Sequence, residues 1–473
     1  MKRLGALLAL AAAVAGCDTI RNARLEQRSA LRYARLSETN TVPDRVLFVG
    51  FMLPDFVTYA TENRPDMIQA RLAVSNAVLA VRTVQADGPL VPHVETSAGY
   101  SRRTNNGKHF SFEKMDGDPT GAVGLDFLVY DFGRTDAAEA EARENLGAAH
   151  LQLRQTALAV FREVAQAYFS LLEADAKLEA AHTNEYKYAE HLRQAEAMFA
   201  AEEAKKLDVL RARVDLSDAR LATIVASNDQ VVATATFMQA LGIKTDEGCR
   251  DDVLPRRSDC LYVAVQELDE SVFPDAEALH RARETSPELA YRRAKLRAAS
   301  ANVDWRIADL YPSVSFDASL SFTDRIWNFS WAGKALQSVY LGYRKTTAVE
   351  QAVVALKSAQ AELLAAEQTL SGELAKAVAS RDSARKELVA AHEKLRQAQE
   401  NLATAEAQWR LGDMSRVDYS DAVKLYVEAL GERAAAFYAG QRAEAALFSM
   451  VGVSPIYVEN RVADPNVPRG GAQ

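Results

Sequence analysis

The stretch PSVSFDASLSF, residues 312–322, decides how the rest of the chain is read. Val314, Phe316, Ala318, Leu320 and Phe322 occupy the even positions, and Ser313, Ser315, Asp317, Ser319 and Ser321 the odd ones. A strand sends alternate side chains to opposite faces, so this pattern predicts one apolar face and one wet face. Roughly ten residues tilted at about 45° also span the hydrocarbon of a bilayer. Two readings stay open on this stretch alone: a half-buried strand of a soluble sheet, or a strand of a membrane barrel.

Composition points to long helices around it. The chain has 473 residues, 48% hydrophobic and 25% charged, with 13 prolines and 22 glycines. Proline is missing from the two longest segments, a pattern that favours helix. A net charge of −8 argues against nucleic acid as a partner. Met1-Lys2-Arg3 is a basic start and Leu4–Ala15 a short apolar core, too short to span as a helix. Val14-Ala15-Gly16-Cys17 resembles a bacterial lipobox, making residues 1–17 a signal peptide and Cys17 a lipidated, palmitate-type anchor. The alternative is an ordinary signal peptide that contains a cysteine. Asp18, next to the anchor, resembles an inner-membrane retention signal and leaves the destination membrane open. Export implies an oxidising compartment, so Cys249 and Cys260 are expected to pair across a short polar loop. Such a closure contributes about 3 kcal/mol in the chain-entropy picture.

In chain order, residues 18–54 form an extended lead-in. Asp55 is expected to cap a helix reaching Asp87, and Pro89 and Pro92 precede a strand at 93–102. A second strand is expected at 121–130. Arg134–Leu241 has no proline and a single glycine, Gly147, so it is read as helix folded back on itself near Ala200–Lys206. The same order then returns. Phe273–Leu289 parallels Phe51–Met67, and Pro312 answers Pro92. Gln368-Thr369 answers Gln155-Thr156 at an offset of 213. Trp409…Asp418 answers Phe199…Asp208, and Val451-Gly452-Val453 answers Leu241-Gly242-Ile243, both at 210. This is an internal duplication: 55–245 is the first repeat, 246–272 a linker, 273–453 the second repeat and 454–473 a tail. Each repeat is expected to hold a helix of about 33 residues, two strands, a helix of about 66 and one of about 35. The long helix then measures about 100 Å, matched by the two short ones laid end to end. Alanine supplies 17 of the 61 residues in Ala348–Gln408, which allows helices to approach closely.

Four strands follow: 93–102, 121–130, 312–322 and 335–344, the last alternating poorly. In lipid every backbone polar group needs a partner, so only closed barrels survive, and these begin at about eight strands. Four strands leave two bare edges, so copies are expected to pool them.

Tyr130-Asp131-Phe132-Gly133-Arg134 at a strand end, Trp409-Arg-Leu-Gly412-Asp-Met-Ser415-Arg-Val-Asp418 at a helical turn, the duplication and the lipobox resemble the TolC-type outer-membrane channel family, lipoprotein branch. The resemblance covers about Asp55–Val453. It implies a mainly α chain with a membrane β-barrel portion, in which three copies pool strands into a twelve-stranded barrel above a periplasmic α-barrel. It implies a lipid-anchored outer-membrane exit duct reaching into the periplasm. Its expected partners are a periplasmic adaptor and an inner-membrane pump, in efflux or type I secretion.

The resemblance also implies the site residues. Asp418 and Asp421 share one helix face by their spacing, and match aspartates that ring the periplasmic entrance. Asp208 matches the place in the first half, where Arg211 stands in for a second acid. Trp409 matches an aromatic that braces the closed entrance. Leu411, Gly412 and Asp413 match the turn that meets the adaptor, and the first-half turn departs from it with Glu202 for the glycine and Lys205 for the serine. Ordinary alternatives remain: Asp418 and Asp421 as a solvated helix start, and Trp409 as packing between helices. The seven histidines form no metal or catalytic motif, and His182 and His191 are expected on the surface. No enzyme activity, cofactor or metal is expected. A lipid-anchored periplasmic coiled-coil spacer is the rival reading, though it leaves the strands idle. The periplasmic adaptor itself is a third, disfavoured by the duplicated layout.

Overall fold

A computed structural model describes residues 23–28, 53–101, 118–202, 205–243, 286–323, 326–336, 343–411 and 414–451. Two units are distinguished. Met1–Gly50 with Cys249–Pro255 form the first, of which residues 23–28 are helical and exposed. Phe51–Gly248 with Arg256–Gln473 form the second, and all that follows concerns it.

The second unit opens with helices α1, Leu53–Asn63, and α2, Pro65–Ala86. The single helix expected from Asp55 to Asp87 is therefore corrected. Asp55 lies within the first turn of α1 and does not cap it, and the helix breaks at Arg64. The cause is local: Pro65 forces its predecessor out of the helical region, and Arg64 sits extended at φ −66°, ψ 137°. Helix α3 runs Arg134–Ala200 over 67 residues and α4 Lys206–Leu241 over 36, so the chain folds back where the apolar period lapses. After α5, Pro287–Ala308, the pattern returns with α6, Arg344–Leu411, of 68 residues, and α7, Arg416–Val451, of 36. At 1.5 Å per residue α3 and α6 are each about 100 Å long. Helices α2 and α4 both pack on α3, and α5 and α7 both pack on α6.

The junction of α2 with α4 is built around the break. The Arg64 guanidinium donates to the Ala240 carbonyl at 2.8 Å and pairs with Glu163 at 2.7 Å and Asp66 at 2.6 Å. Gly242 ends α4 at φ 79°, where a Cβ would stand 3.1 Å from Arg64 Cγ, so both conformation and space call for glycine. Phe56 of α1 is fully buried there, with its ring 5.1 Å from Phe237 and 6.0 Å from Tyr168. Along α3, Ala148, Ala157, Ala165, Ala167, Ala174, Ala176 and Ala181 are buried, which lets the helices lie close. Ion pairs tie the helices: Arg442 of α7 reaches across to Glu173 of α3 at 2.6 Å, and Lys394 of α6 reaches Glu432 of α7 within its own hairpin at 2.6 Å. Burial works against the charged Glu173, but Lys177 and Arg442 outweigh it and hold its carboxyl below the usual range.

The strands form one antiparallel sheet in the order β1-β2-β3-β4: His93–Ser101, Asp118–Tyr130, Ser313–Thr323 and Ile326–Leu336. The first three overlap the alternating runs. The fourth is a correction, since it lies at 326–336 instead of 335–344. Only two residues separate Thr323 from Ile326, which pair with each other. The signal for it is Trp327-Asn-Phe329-Ser-Trp331, an alternation that lies before the expected strand at 335–344. Asp131 closes the strand-to-helix step: its carboxylate accepts the Thr135 N–H at 2.8 Å in the first turn of α3, while Gly133 at the N-cap turns the chain at φ 82°. Arg134 then meets Asp309 at 3.5 Å, joining the start of α3 to the end of α5.

Candidate functional site

Two regions carry what this chain can do, the sheet and the hairpin ends. In the sheet, register places Val94, Leu125, Ala318 and Trp331 in one row, and Thr96, Val123, Leu320 and Phe329 in the next. With Phe127, Phe316, Phe322 and Trp327 they make one face of aromatic and aliphatic side chains. Trp327, Phe329 and Trp331 are each more than 60% exposed in the single chain. The opposite face holds His93, Asp126, Asp317 and Ala332 in one row, and Glu95, Gly124, Ser319 and Ser330 in the next. Asp126 and Asp317 stand opposite each other, a repulsive pairing relieved by Lys334, 3.1 Å from Asp317. The Ser319 and Ser330 hydroxyls meet at 2.8 Å. Among the described residues strands β1 and β4 each have one neighbour, so the sheet has two open edges.

Such a sheet is inverted for a water-soluble protein, because its greasy face has no cover within the described chain. A contiguous exposed apolar face marks contact with lipid or a partner. No described helix is long and apolar enough to cross a membrane.

At the far ends of the helices, the expected site residues separate into different surroundings. Ser415 caps α7: its hydroxyl donates to the Asp418 carboxylate at 2.7 Å and accepts the Asp418 N–H at 3.3 Å. Asp418 is thus tied into the helix start and exposed, as is Asp421 three residues on. Asp208 ties the start of α4 differently in the first repeat, accepting the Lys205 backbone N–H at 3.3 Å. Asp421, Asp215 and Asp218 all act electrostatically on the Tyr188 hydroxyl, whose pKa is pushed up mainly by burial. Asp215 and Asp218 repeat the three-residue spacing of Asp418 and Asp421, and that was the signal available for them. Tyr188 itself bonds to Ser420 at 3.3 Å.

Trp409 lies two residues before the end of α6, in a three-ring joint. Its ring stacks on Tyr419 of α7 at 5.6 Å and 20°, and lies 5.5 Å from His191 of α3. Its Nε1–H reaches Gln194 at 3.3 Å. His191 is 3% exposed, so its expected surface position is corrected; His182 is exposed. The burial comes from rings more than 200 residues away in sequence, which no local period reveals. One turn along α3, Lys187 pairs with Glu406 of α6 at 2.6 Å, which raises its pKa above the ordinary lysine value. Leu411 is the last residue of α6, whereas Gly412 and Asp413, like Cys17, Cys249 and Cys260, lie outside the described residues. In the first-half turn Glu202 takes φ 65°, the left-handed conformation that glycine adopts freely.

Among the described residues there is no cluster of histidine, cysteine and acidic groups able to hold a metal. A groove of about 530 Å³ lies between α3, α5, α6 and α7. Within it Arg292 pairs with Glu288 and Glu362 at 2.9 Å each.

The sequence pattern of the outer membrane efflux protein family matches residues 57–243 and 278–453, one segment for each repeat. Solved structures agree with the fold. The CmeC outer membrane channel of Campylobacter jejuni superposes with a TM-score of 0.70 at 18% identity, covering 85% of each chain. The open-state MtrE outer membrane channel of Neisseria gonorrhoeae gives 0.69 at 18% identity, over 85% of this chain and 89% of that one. The Vibrio cholerae outer membrane protein VceC gives 0.68 at 16% identity, over 85% and 96%. No curated protein matches the chain closely enough to count as a relative.

Proposed function

From the premise that this chain belongs to the outer membrane efflux protein family, and is an outer-membrane efflux channel, we propose that three copies form a passive exit duct for a pump in another membrane. The observation that carries the trimer is the four-stranded sheet with two open edges, one greasy face and one polar face. A single copy leaves backbone groups bare along β1 and β4, which lipid does not tolerate. Joining β4 of one copy to β1 of the next closes a twelve-stranded wall, with the Trp327 face toward lipid and the Asp317 face toward water.

In this reading the long helical hairpins extend the duct through the periplasm, and the pump supplies all the energy. Leu411, Gly412 and Asp413 meet the periplasmic adaptor, and the first-half turn, with Glu202 and Lys205, docks differently. Asp418 and Asp421, with Asp208 in the other repeat, contribute an acidic rim at the entrance that gathers cations. Trp409 braces that entrance. Cys17 carries the lipid anchor in the outer membrane, Cys249 and Cys260 pair, and the chain catalyses no reaction.

Purified protein reconstituted in planar bilayers tests this. Trimers with β signal in circular dichroism and stable single-channel currents are expected, with cation block changed in the Asp418→Ala, Asp421→Ala double variant. A monomeric, lipid-anchored protein without conductance would instead favour a periplasmic spacer. Unchanged currents and block in the double variant would remove the two aspartates from the entrance.

A further inference from the structure

Three aromatic rings, Tyr130, Phe132 and Tyr311, cluster where the strands give way to helices, and we propose that this cluster is a lipid contact. Its rings seat in the headgroup boundary of the leaflet nearer the helices and fix how deep the sheet sits. The inference rests on the sheet lying in lipid, as in the duct reading above, and adds the depth at which it is held.

Register carries the first ring to the greasy face. Phe127 stands opposite Phe316 and Leu128 opposite Ser315, but Tyr130 stands opposite Val314, so β2 bulges between Leu128 and Tyr130. Without the extra residue Tyr130 would fall on the polar face; the bulge returns it to the greasy one. Its ring lies 4.8 Å from that of Phe132, edge to face, and Phe132 stacks on Tyr311 at 5.7 Å and 21°. The three rings thus continue the greasy face past the ends of β2 and β3.

Phe132 is held there against its backbone preference. It takes φ 55°, a left-handed conformation disfavoured by about 5- to 30-fold for a residue with a side chain. The turn itself needs no ring, since Gly133 beside it bends freely at φ 82°. The ring contacts each return about 2- to 13-fold, yet Tyr130, Phe132 and Tyr311 remain 55%, 44% and 56% exposed. Leu90, at the approach to β1, shows the same combination: it is left-handed at φ 64° and exposed, with its N–H bonded to the Leu128 carbonyl at 2.6 Å.

Position in the sheet says what covers the rings. Pooling of strands between copies works through β1 and β4, whereas Tyr130 ends β2 and Tyr311 leads into β3, the two inner strands. A neighbouring copy joined at the edges therefore leaves the cluster bare, and the lipid that meets the greasy face reaches it without a break. Height agrees. Val314 to Phe322 spans about 27 Å along β3 at roughly 3.4 Å per residue, or about 19 Å of height at a tilt of about 45°. The apolar band of a membrane barrel is about 25 Å tall. Phe322 and Trp327, whose rings lie 5.1 Å apart, mark one margin of that band, and the Tyr130 cluster falls at the other. Tyrosine suits such a margin, because its ring is apolar and its hydroxyl reaches water or phosphate.

Nitroxide labels on the full-length protein in phosphatidylcholine vesicles test the seating, in a background with Cys249 and Cys260 replaced by serine. The same background without an added cysteine gives the signal to subtract. Labels at Phe132→Cys, Tyr311→Cys and, in mid-sheet, Ala318→Cys are read by collision with oxygen, which favours lipid, and with a nickel chelate, which stays in water. The first two should lie about 10 Å shallower than the third, at the edge of the hydrocarbon. Tyr311→Cys leaves the left-handed turn intact and carries the test should Phe132→Cys fail to assemble. Labels in open water, labels as deep as Ala318→Cys, or labels shielded from both reagents by a protein partner would each overturn the lipid contact. Adding Phe132→Ser and Tyr311→Ser together should shift the depth read at Ala318→Cys, and an unchanged depth would overturn the seating role. An Ala318→Cys label found in water would instead sink the reading of the sheet in lipid, on which the inference rests.

Discussion

Replacing Arg64 with methionine keeps most of the buried stem and removes the guanidinium, which isolates the value of the junction between α2 and α4. Three acceptors lose their donor: the Ala240 carbonyl, Glu163 and Asp66. The carbonyl is buried at the end of α4, and stranding such a group costs about 1–3 kcal/mol. Glu163 and Asp66 are 52% and 47% exposed, so water compensates them and each pair is worth about 0–1 kcal/mol. Taken near the middle of each range, the total is about 2–3 kcal/mol of local stability. At 1.4 kcal/mol per decade, this is an increase of about 30- to 150-fold in the opening equilibrium. Hydrogen exchange read by mass spectrometry should show that acceleration in α1 and the last turn of α4, with α7 unaffected. The pH dependence has a definite sign. Arg64 holds the Asp66 carboxyl below its ordinary value of 3.8, so this share of stability is full above 3.8 and is lost as pH falls through the depressed value. The gap between wild type and variant should therefore narrow only below about pH 3.8. Exchange changing less than threefold at the junction, or equally in α7, would refute the assignment of Arg64 as the local tie.

Three further outcomes are expected. Trp331→Arg, on the greasy face of β4, should block membrane assembly at a cost of about 2–4 kcal/mol near mid-bilayer, while Ser330→Arg on the polar face assembles; heat-modifiability on gels reads both. Ser415→Ala removes the α7 cap and should cost about 1 kcal/mol, seen as faster exchange in the first turn of α7 alone. Glu202→Gly relieves a left-handed residue, worth about 1–2 kcal/mol, against about 0.5–1 kcal/mol of lost chain stiffness. A small net gain in protection at the end of α3 should result, and a loss would mean that Glu202 makes a compensating contact.

Much of the fold was legible because helices and strands have strict periods. The absence of proline from Arg134 to Leu241, and the lapse near Ala200–Lys206, placed α3, its turn and α4 closely. Alternation placed β1, β2 and β3. Strand β4 was misplaced because the repeat was used as a ruler: the two halves keep their offset in the helices but not in the last hairpin, where only two residues connect β3 to β4. The Trp-x-Phe-x-Trp pattern was there to be read. Pro65 likewise announced the helix break at Arg64, which the expectation of a continuous helix ignored. At the start of α7, spacing gave Asp418 and Asp421 a shared face, and Ser415 three residues before Asp418 has the form of a capping box. The ring joint was not legible. Trp409 and Tyr419 are more than 200 residues from His191, and helical period alone cannot say which face of α3 another hairpin will cover.

The central claim is that β1 and β4 find each other across copies. Cysteines placed at Ser97 on β1 and, in turn, at Asn328, Ser330 and Ala332 on β4 test it in a background with Cys249 and Cys260 replaced by serine. Oxidation in membranes should give one strongly cross-linking pair, with a covalent ladder that stops at three chains. Monomers throughout, or a ladder stopping at two or continuing past three, would contradict the account.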